Sequence, residues 1–165
     1  MDHALNEQLR EKLAPGAGLL IPGAANALAA RIIEEAGFEA LLVTGAGLAN
    51  TYLGVPDMGL TTVNELCDHV VAIREAVEIP IIADIDTGFG NALNLFRTVR
   101  MLERAGANAL QIEDQIFPKR CGHFAGKEVI PCGDMVMKIK AAVDTRVSPD
   151  LLIIARTDAR AIEGL

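Results

Sequence analysis

The stretch Pro80-Ile-Ile-Ala-Asp-Ile-Asp-Thr-Gly-Phe-Gly-Asn91 decides the fold and indicates where a site lies. Its short apolar run, Ile81–Ala83, follows a proline and predicts a buried strand, and charge begins where that strand stops. Asp84 and Asp86 are two residues apart, so on an extended chain their side chains leave the same face and can converge on one cation or one substrate hydroxyl. A single aspartate more often caps a turn or a helix. A pair on one face favours chemistry.

Four more apolar runs repeat this pattern and alternate with helical segments. The other predicted strands are Leu19–Ile21, Ala40–Val43, Ala109–Ile112 and Leu151–Ala155. The predicted helices are, approximately, Asp2–Leu13, Ala27–Ala36, Val63–Ala76, Ala92–Ala105 and Asp134–Val143. Thr62 and Glu65 suit a capping box at the start of the third helix.

The array contains an internal repeat. The segment Glu34–Val43 lines up with Glu103–Ile112, with Glu, Ala, Gly, Ala and Leu at matching places. Two helix–Gly–strand modules of one design predict an α/β fold with a parallel sheet. The carboxyl ends of such strands lie on one face, where both barrel and doubly wound enzymes place their sites. The periodicity alone is compatible with either arrangement.

Length and composition restrict the class of protein. The 165 residues are 51% hydrophobic, which predicts a single domain, residues 1–165, with a sizeable core; residues 1–18 are its N-terminal helix and lead-in. The net charge of −7 without a basic block argues against nucleic acid or an anionic membrane as partner and favours a small molecule. The charged N-terminus and the three unpaired-looking cysteines predict a cytoplasmic protein.

An acidic group follows two of the predicted strands. Asp84 and Asp86 come after one strand, and Glu113 comes after the next. No His or Cys spacing suits zinc, whereas hard oxygen ligands suit Mg²⁺ or Mn²⁺. Such an ion can act as a Lewis acid on an α-hydroxy or α-keto acid. The strand ends therefore predict a metal site.

A second group of reactive residues is Lys119-Arg120-Cys121-Gly122-His123. A cysteine flanked by two cations and a histidine should have its thiolate favoured, which makes Cys121 a usable proton donor or nucleophile. The alternative is a solvated basic turn with an incidental cysteine. Because the segment follows the strand that ends at Glu113, the active-face interpretation is favoured. Cys67 and Cys132 are interpreted as passive packing or loop residues.

Two further strand ends suit a carboxylate ligand. The turn Thr44-Gly45-Ala46-Gly47 can offer backbone N–H groups to an anion, although glycine is common in turns after strands. Arg156, at the end of the last strand, can clamp a carboxylate bidentately. Pairing of Arg156 with Asp158 or Glu113 is the competing structural role.

Together these residues resemble the isocitrate lyase and phosphoenolpyruvate mutase superfamily, most specifically in the Lys119–His123 motif. The resemblance extends from about Leu20 to the end of the sequence. It implies a (β/α)₈ TIM-barrel fold of which this chain holds about the first five βα units. It also implies a homo-oligomer, a tetramer in this family.

The resemblance assigns roles to individual residues. It implies Mg²⁺ bound by three carboxylates, partly through water: Asp84, Asp86 and Glu113. It implies substrate carboxylate binding by Thr44, Gly45, Ala46 and Arg156. It implies that Cys121 lies on a mobile gating loop and is the acid that protonates the departing carbanion. Asp57 matches another active-site aspartate, and Lys119 and His123 match loop residues near the substrate.

The Cys-containing loop marks the carbon–carbon lyases of this superfamily. The resemblance therefore implies cleavage of a 2-hydroxy di- or tricarboxylate, of the 2-methylisocitrate or 2,3-dimethylmalate type, to pyruvate and a second carboxylic acid. One alternative is an oxaloacetate decarboxylase or phosphonopyruvate hydrolase, which needs no thiol acid. Another is an inactive fragment that serves as a binding or assembly module.

The loop that carries Cys121 faces conflicting demands. Protonation of a carbanion requires exclusion of water, yet substrate must enter and products must leave. We therefore expect residues from about Pro118 to Lys127 to be poorly ordered or displaced from the acidic site without ligand and to close over it with a dicarboxylate and Mg²⁺ bound.

Overall fold

The computed structural model describes residues 3–122 and 124–164, in which helices and parallel strands alternate. The strands are β1 (Gly23–Ala24), β2 (Leu41–Val43), β3 (Ile81–Asp84), β4 (Ala109–Glu113) and β5 (Leu152–Arg156). The helices are α1 (His3–Lys12), α2 (Ala27–Glu35), α3 (Gly45–Leu48), α4 (Val63–Arg74), α5 (Ala92–Ala105), α6 (Cys132–Thr145) and α7 (Ala159–Glu163). A π-helical turn, Ala49–Leu53, continues α3.

The five strands form one parallel sheet whose spatial order is the order of the sequence, β1-β2-β3-β4-β5. A doubly wound sheet reverses its strand order at a switch point, whereas a singly wound βα barrel does not. The observed order is therefore the barrel order. This removes the ambiguity that the periodicity left open.

Alternation along the strands separates two apolar clusters. Side chains at odd positions of β2 and β3, including Leu41, Val43 and Ile81, pack with the helices in the larger cluster. Side chains at even positions, including Leu42 and Ile82, join Leu9 of α1 in the smaller cluster on the opposite face. Successive strand residues point to opposite faces, so the two clusters lie on the two faces of the sheet. On the inner face, α1 packs against the amino ends of the strands.

Local signals in the sequence explain several helix ends. Thr62 and Glu65 form the expected capping box at α4. Gly37 and Gly106, which align in the internal repeat, have φ angles of +85° and +101° and follow or cap α2 and α5. Glycine adopts this left-handed conformation without steric cost. The repeat therefore reflects the same helix-to-strand turn used twice.

Two local expectations were wrong. The first strand was expected at Leu19–Ile21, but β1 is Gly23–Ala24, because Gly23 and Ala24 are the residues that lie in register with Leu42 and Val43. The segment after Thr44 was expected to be a loop. Instead Thr44 caps α3 by accepting the Gly47 N–H at 3.2 Å, and helical structure continues to Leu53.

No helix among residues 3–122 and 124–164 has the length and apolarity needed to cross a membrane.

Buried Glu103 connects α5 to the turn between α6 and β5. Its carboxylate accepts the backbone N–H groups of Val147 at 2.8 Å and of buried Ser148 at 2.6 Å. Buried backbone donors that lose their acceptor are destabilising. Glu103 therefore fixes the approach to β5.

Replacing Glu103 with alanine is expected to lower the free energy of unfolding by about 2 kcal/mol or more, since two N–H groups lose their acceptor. Glu103→Gln keeps one acceptor oxygen and should lose less. Glu35→Ala, at an exposed position near the end of α2, is the control. Urea unfolding followed by circular dichroism measures the difference, and equal stability of Glu103→Ala and Glu35→Ala would contradict this role.

Candidate active site

Inner-face side chains at the carboxyl ends of the strands surround a cavity of about 350 Å³. This volume lies within the range of small-molecule sites. The lining residues are Leu42, Thr44, Ala46, Asp57, Asp84, Gln111, Lys119, Cys121, Gly122 and Arg156. Seven residues expected from the sequence thus line one space, brought together from positions more than a hundred residues apart in the chain.

Asp84 and Asp86 converge, but not on an extended chain. Asp84 ends β3, and Asp86 has a left-handed backbone with φ +49°, which lets its N–H donate to Asp84 Oδ1 at 3.2 Å. Both carboxylates lie against Gly45: a Cβ there would be 3.1 Å from Asp86 Oδ1 and 3.5 Å from Asp84 Oδ2. Gly45 therefore leaves room beside the two carboxylates.

Burial raises the pKa of all three acidic residues predicted to bind metal. The pKa of Asp84 lies above its usual range because of burial. Burial and the charge of Asp84 raise the pKa of Asp86 to about 6, and burial raises the pKa of Glu113 to about 7. Glu113 Oε1 is buried without a hydrogen-bond partner among the described residues. Ionisation of all three carboxyl groups therefore costs free energy in the folded protein.

Lys119 is the cation nearest to the aspartates. Its side chain is only 4% exposed; its ammonium contacts Asp57 and lies 2.7 Å from Asp86 Oδ1, with an orientation outside hydrogen-bond geometry. Burial alone would lower the pKa of Lys119, but the charges of Asp86 and Asp57 outweigh it and raise that pKa above its usual value. Lys119 therefore joins the loop to Asp86, which follows β3, and to Asp57, which lies in the segment before α4.

No group of three or more His, Cys, Asp or Glu side chains in the described part of the chain is arranged to hold a metal ion. Asp84, Asp86 and Glu113 are close enough to shift one another's pKa, yet they do not form a three-ligand cage. The ammonium of Lys119 already lies beside Asp86.

Arg156 makes both of the structural pairs that competed with ligand binding in the sequence analysis. Its Nη1 lies 3.3 Å from Glu113 Oε2, and its Nη2 lies 3.6 Å from Asp158 Oδ2. The side chain remains 34% exposed and lines the cavity. It is therefore held in place while part of it faces the space where a ligand would bind.

The described part of the Cys121 loop lies over the acidic site. The expected opening and closing of this loop with ligand stays a prediction. Lys119 is paired with Asp57 and Asp86, and Cys121 is half-buried at the cavity wall. Gly122 lies so close to Arg156 that a Cβ there would be 2.3 Å from Nη2. These contacts hold the loop inward. His123, the other predicted loop residue, lies outside the described residues.

The other two cysteines lie apart from this cavity. Cys67 is buried in the outer cluster, where burial and the charge of Asp68 raise its pKa to about 11. Cys132 is exposed at the start of α6. Cys67 has the packing position expected for it, whereas Cys132 begins a helix and does not lie in a loop.

The sequence analysis missed Gln111, which lines the cavity from β4. It precedes Glu113 by two residues, so the strand period alone would have placed both on one face. It also missed Gln115 and the role of Asp158. Gln115 hydrogen-bonds both the backbone of Arg120 in the loop and the carboxylate of Asp158. Their contacts join segments about forty residues apart, and no local pattern signals them.

Several known proteins with similar sequences are lyases by name. The chain matches the model of the phosphoenolpyruvate phosphomutase family over residues 9–163. A 2,3-dimethylmalate lyase of Eubacterium barkeri is 50% identical over 158 residues, 96% of this chain and 55% of that protein. A 2-methylisocitrate lyase of Aeropyrum pernix is 51% identical over 156 residues, 94% of this chain and 50% of that protein. The chain thus spans about half the length of the curated relatives it matches.

Solved structures share the fold. A 2,3-dimethylmalate lyase, a PEP mutase/isocitrate lyase superfamily member, gives a TM-score of 0.90 at 38% identity over 98% of this chain and 55% of that chain. A phosphonopyruvate hydrolase complex with oxalate and Mg²⁺ gives 0.88 at 36% identity over 100% and 56%. The expected fold, about the first five βα units of a TIM-barrel type, is confirmed.

Removing the Lys119 ammonium tests the charge balance of the site. We expect Lys119→Met to lower the free energy of unfolding by about 3–5 kcal/mol at about pH 8, because two buried carboxylates lose their partner. Without Lys119 the pKa of Asp86 rises beyond about 6. A carboxyl group whose folded pKa exceeds its unfolded value binds more protons when folded, so this part of the stability falls as pH rises.

The deficit of Lys119→Met relative to wild type should therefore shrink when the pH is lowered from about 8 to about 5.5. Urea midpoints in metal-free buffer at both pH values measure it. Lys140→Met, in an exposed ion pair of α6, is the matched control and should show little deficit at either pH. A deficit that stays constant or grows towards low pH would contradict the argument.

Proposed function

This chain belongs to the phosphoenolpyruvate phosphomutase family, and from that membership we propose that the protein is a Mg²⁺-dependent carbon–carbon lyase. Its substrate is a 2-hydroxy di- or tricarboxylate of the 2-methylisocitrate or 2,3-dimethylmalate type, cleaved to pyruvate and a second carboxylic acid. The observation that carries the proposal is the half-buried Cys121 thiol in the same cavity as Asp57, Asp84 and Arg156. The two relatives that are about half identical have lyase names of these two types.

Arg156 and the start of α3 bind the substrate carboxylate in this proposal. The guanidinium is oriented by Glu113 and Asp158 and faces the cavity. Thr44 and Ala46 line the same space, with Gly45 between them. Because Thr44 already accepts the Gly47 N–H, the N–H groups of Gly45 and Ala46 are the ones proposed to reach an anion.

Asp84, Asp86 and Glu113 suit Mg²⁺ or Mn²⁺, held partly through water. All three offer hard oxygen atoms, burial raises the pKa of each, and Glu113 Oε1 lacks a hydrogen-bond partner in the described residues. Mg²⁺ seldom needs a complete protein cage, because waters and substrate oxygens complete its shell. When bound, it would supply Lewis-acid stabilisation of negative charge on the forming 2-oxo acid. A solved relative contains Mg²⁺ with oxalate.

The bond-breaking step needs one base and one acid. A base takes the proton of the substrate hydroxyl, the oxygen forms the carbonyl of pyruvate, and the electron pair of the broken C–C bond remains on the departing carbon. Cys121 then gives its thiol proton to that carbanion and becomes a thiolate. The half-buried position of Cys121 limits competing protonation by water.

Lys119 and Asp57 keep the acidic wall of the cavity in place in this scheme. The buried ammonium contacts both Asp57 and Asp86, so it connects the Cys121 loop to the carboxylates. His123 is proposed, by its place in the motif, to act near the substrate. In the same proposal, residues 1–165 form one domain, the N-terminal part of a βα barrel.

The same family offers a second candidate, decarboxylation of oxaloacetate or hydrolysis of phosphonopyruvate. A phosphonopyruvate hydrolase is among the similar solved structures, at 36% identity. That chemistry requires no thiol acid, whereas here a cysteine lines the cavity. A third candidate, a binding or assembly module without turnover, predicts ligand affinity without product.

The cytoplasmic location and the homo-oligomer, a tetramer by family resemblance, stay predictions for the protein. Light scattering after gel filtration would measure the number of subunits.

Cys121→Ser is expected to lower kcat for pyruvate release from 2-methylisocitrate or 2,3-dimethylmalate by about 10²–10⁴, the usual contribution of a positioned proton donor. Cys132→Ser, at an exposed site outside the cavity, is the matched control and should retain full activity. Activity that survives both Cys121→Ser and Asp84→Ala unchanged would reject the assignment. Turnover of oxaloacetate that is indifferent to Cys121 would support the second candidate.

Metal dependence is tested by removal and return. A chelator should abolish turnover, and Mg²⁺ or Mn²⁺ should restore it. Asp84→Asn should weaken Mg²⁺ binding by about tenfold or more in titration calorimetry, because a charged ligand becomes neutral. Asp144→Asn, an exposed carboxylate of α6, should bind Mg²⁺ like wild type. Equal Mg²⁺ affinity in the two variants would overturn the assignment of Asp84 as a ligand.

A further inference from the structure

We propose that Asp158, Lys127 and Gln115 form a latch that positions Cys121 for proton transfer. The latch deepens the proposed lyase function and rests on it. None of the three residues lines the cavity, so they act through the backbone of the loop and are positioning residues. Each residue beside Cys121 is connected to the Asp158 carboxylate through one side chain, Arg120 through Gln115 and Gly122 through Lys127.

Lys127 holds the residue that follows Cys121. Its ammonium donates to the carbonyl oxygen of Gly122 at 2.6 Å and to Asp158 Oδ1 at 2.8 Å. The side chains of Lys127 and Asp158 are only 10% and 12% exposed. A charge-assisted hydrogen bond that is shielded from water is stronger than an exposed ion pair, whose contribution to stability is small.

Gln115 holds the residue that precedes Cys121. Its Nε2 donates to Asp158 Oδ2 at 2.9 Å and to the carbonyl oxygen of Arg120 at 3.0 Å. Its Oε1 accepts the backbone N–H of Arg120 at 2.9 Å. Both the donor and the acceptor of the Gln115 amide are therefore hydrogen-bonded, and two of these bonds fix the orientation of the Arg120 backbone.

Asp158 is itself fixed by the sheet. Its backbone N–H donates to Asp114 Oδ1 at 2.9 Å, and the hydroxyl of Thr157 donates to Asp114 Oδ2 at 2.5 Å. Asp114 follows β4, whose last residue Glu113 lies in register with Arg156 of β5. The latch therefore connects the loop to two paired strand ends.

The base of the loop is closed independently of the latch. Ile116 N–H donates to the Glu128 carbonyl at 2.9 Å, and Ile130 N–H donates to Asp114 at 2.8 Å. Between these bonds the chain contains Gly122 and Gly126, the latter with φ +78°. A segment of this kind needs internal contacts to hold a side chain in one place, and the latch supplies them around Cys121.

Charge supports the latch at neutral pH. Burial acts against ionisation of Asp158, but hydrogen bonds from Lys127 and Gln115 outweigh it and hold the pKa of Asp158 below its usual range. The carboxylate therefore remains charged and keeps both donors. Small errors in the position of a proton donor strongly reduce rate, so loss of the latch should lower turnover even with Cys121 present.

The direct test is the reactivity of Cys121 in Asp158→Asn and Lys127→Met. Alkylation by iodoacetamide, followed at each cysteine by mass spectrometry, should be faster at Cys121 by about tenfold relative to exposed Cys132 in the same molecule, because a charged hydrogen bond is lost. Asp144→Asn and Lys140→Met break an exposed pair of equal length, 2.8 Å, and should leave the ratio unchanged.

The double variant Asp158→Asn/Lys127→Met should label no faster than the more reactive single variant, since both changes open one latch. In turnover of 2,3-dimethylmalate, each single variant should lower kcat about tenfold with KM nearly unchanged, and Lys127→Arg should recover part of the loss. A variant that merely loses folded protein would not show this recovery or an altered ratio of Cys121 to Cys132 labelling.

An unchanged labelling ratio in Asp158→Asn and Lys127→Met would overturn the latch, whatever the activity. Absence of lyase turnover in the wild-type protein would reject the proposed function but leave the labelling contrast as the test of the latch. Labelling of buried Cys67 reports unfolding; if Asp158→Asn shows it, Lys127→Met alone decides.

Discussion

The two-residue period of the parallel strands is the constraint on which the site depends. Within β2 to β4, one set of side chains must face the helices, and in this chain that set is apolar and buried. The other set faces inward. There, apolar residues occupy the amino ends, and Asp84, Gln111, Glu113 and Arg156 occupy the carboxyl ends. A one-residue slip in any strand would exchange core and site side chains.

Register then decides which functional groups meet. Asp84 lies beside Gln111, and Glu113 lies beside Arg156, so one carboxylate gains a cation and the other an amide neighbour. Burial at these positions raises the pKa values of Asp86 and Glu113 towards neutrality. The sheet therefore places the residues, and its low exposure to water changes their chemistry.

The sequence predicted what repeats locally and missed what depends on distant partners. Apolar runs, glycine after helices and charge at strand ends were sufficient to predict βα units and to place Asp84, Cys121 and Arg156 on one face. Asp57 and the role of Lys119 came from the family resemblance. The backbone of Asp86 could not be predicted, because a left-handed aspartate is stable only where the surrounding fold supports it. The latch at Asp158 likewise joins residues from two strand ends and a loop.

Charge balance relates the remaining features of the site to one another. Among the described residues, the carboxylates of Asp57, Asp84, Asp86 and Glu113 face the cations Lys119 and Arg156, and Asp158 pairs with Lys127 and with Arg156. Full ionisation would leave two buried negative charges without partners, and the raised pKa values are the expected response. The Mg²⁺ proposed above would supply two positive charges to balance these carboxylates. Lys119, through its contacts with Asp57 and Asp86, connects the loop that carries Cys121 to the same balance.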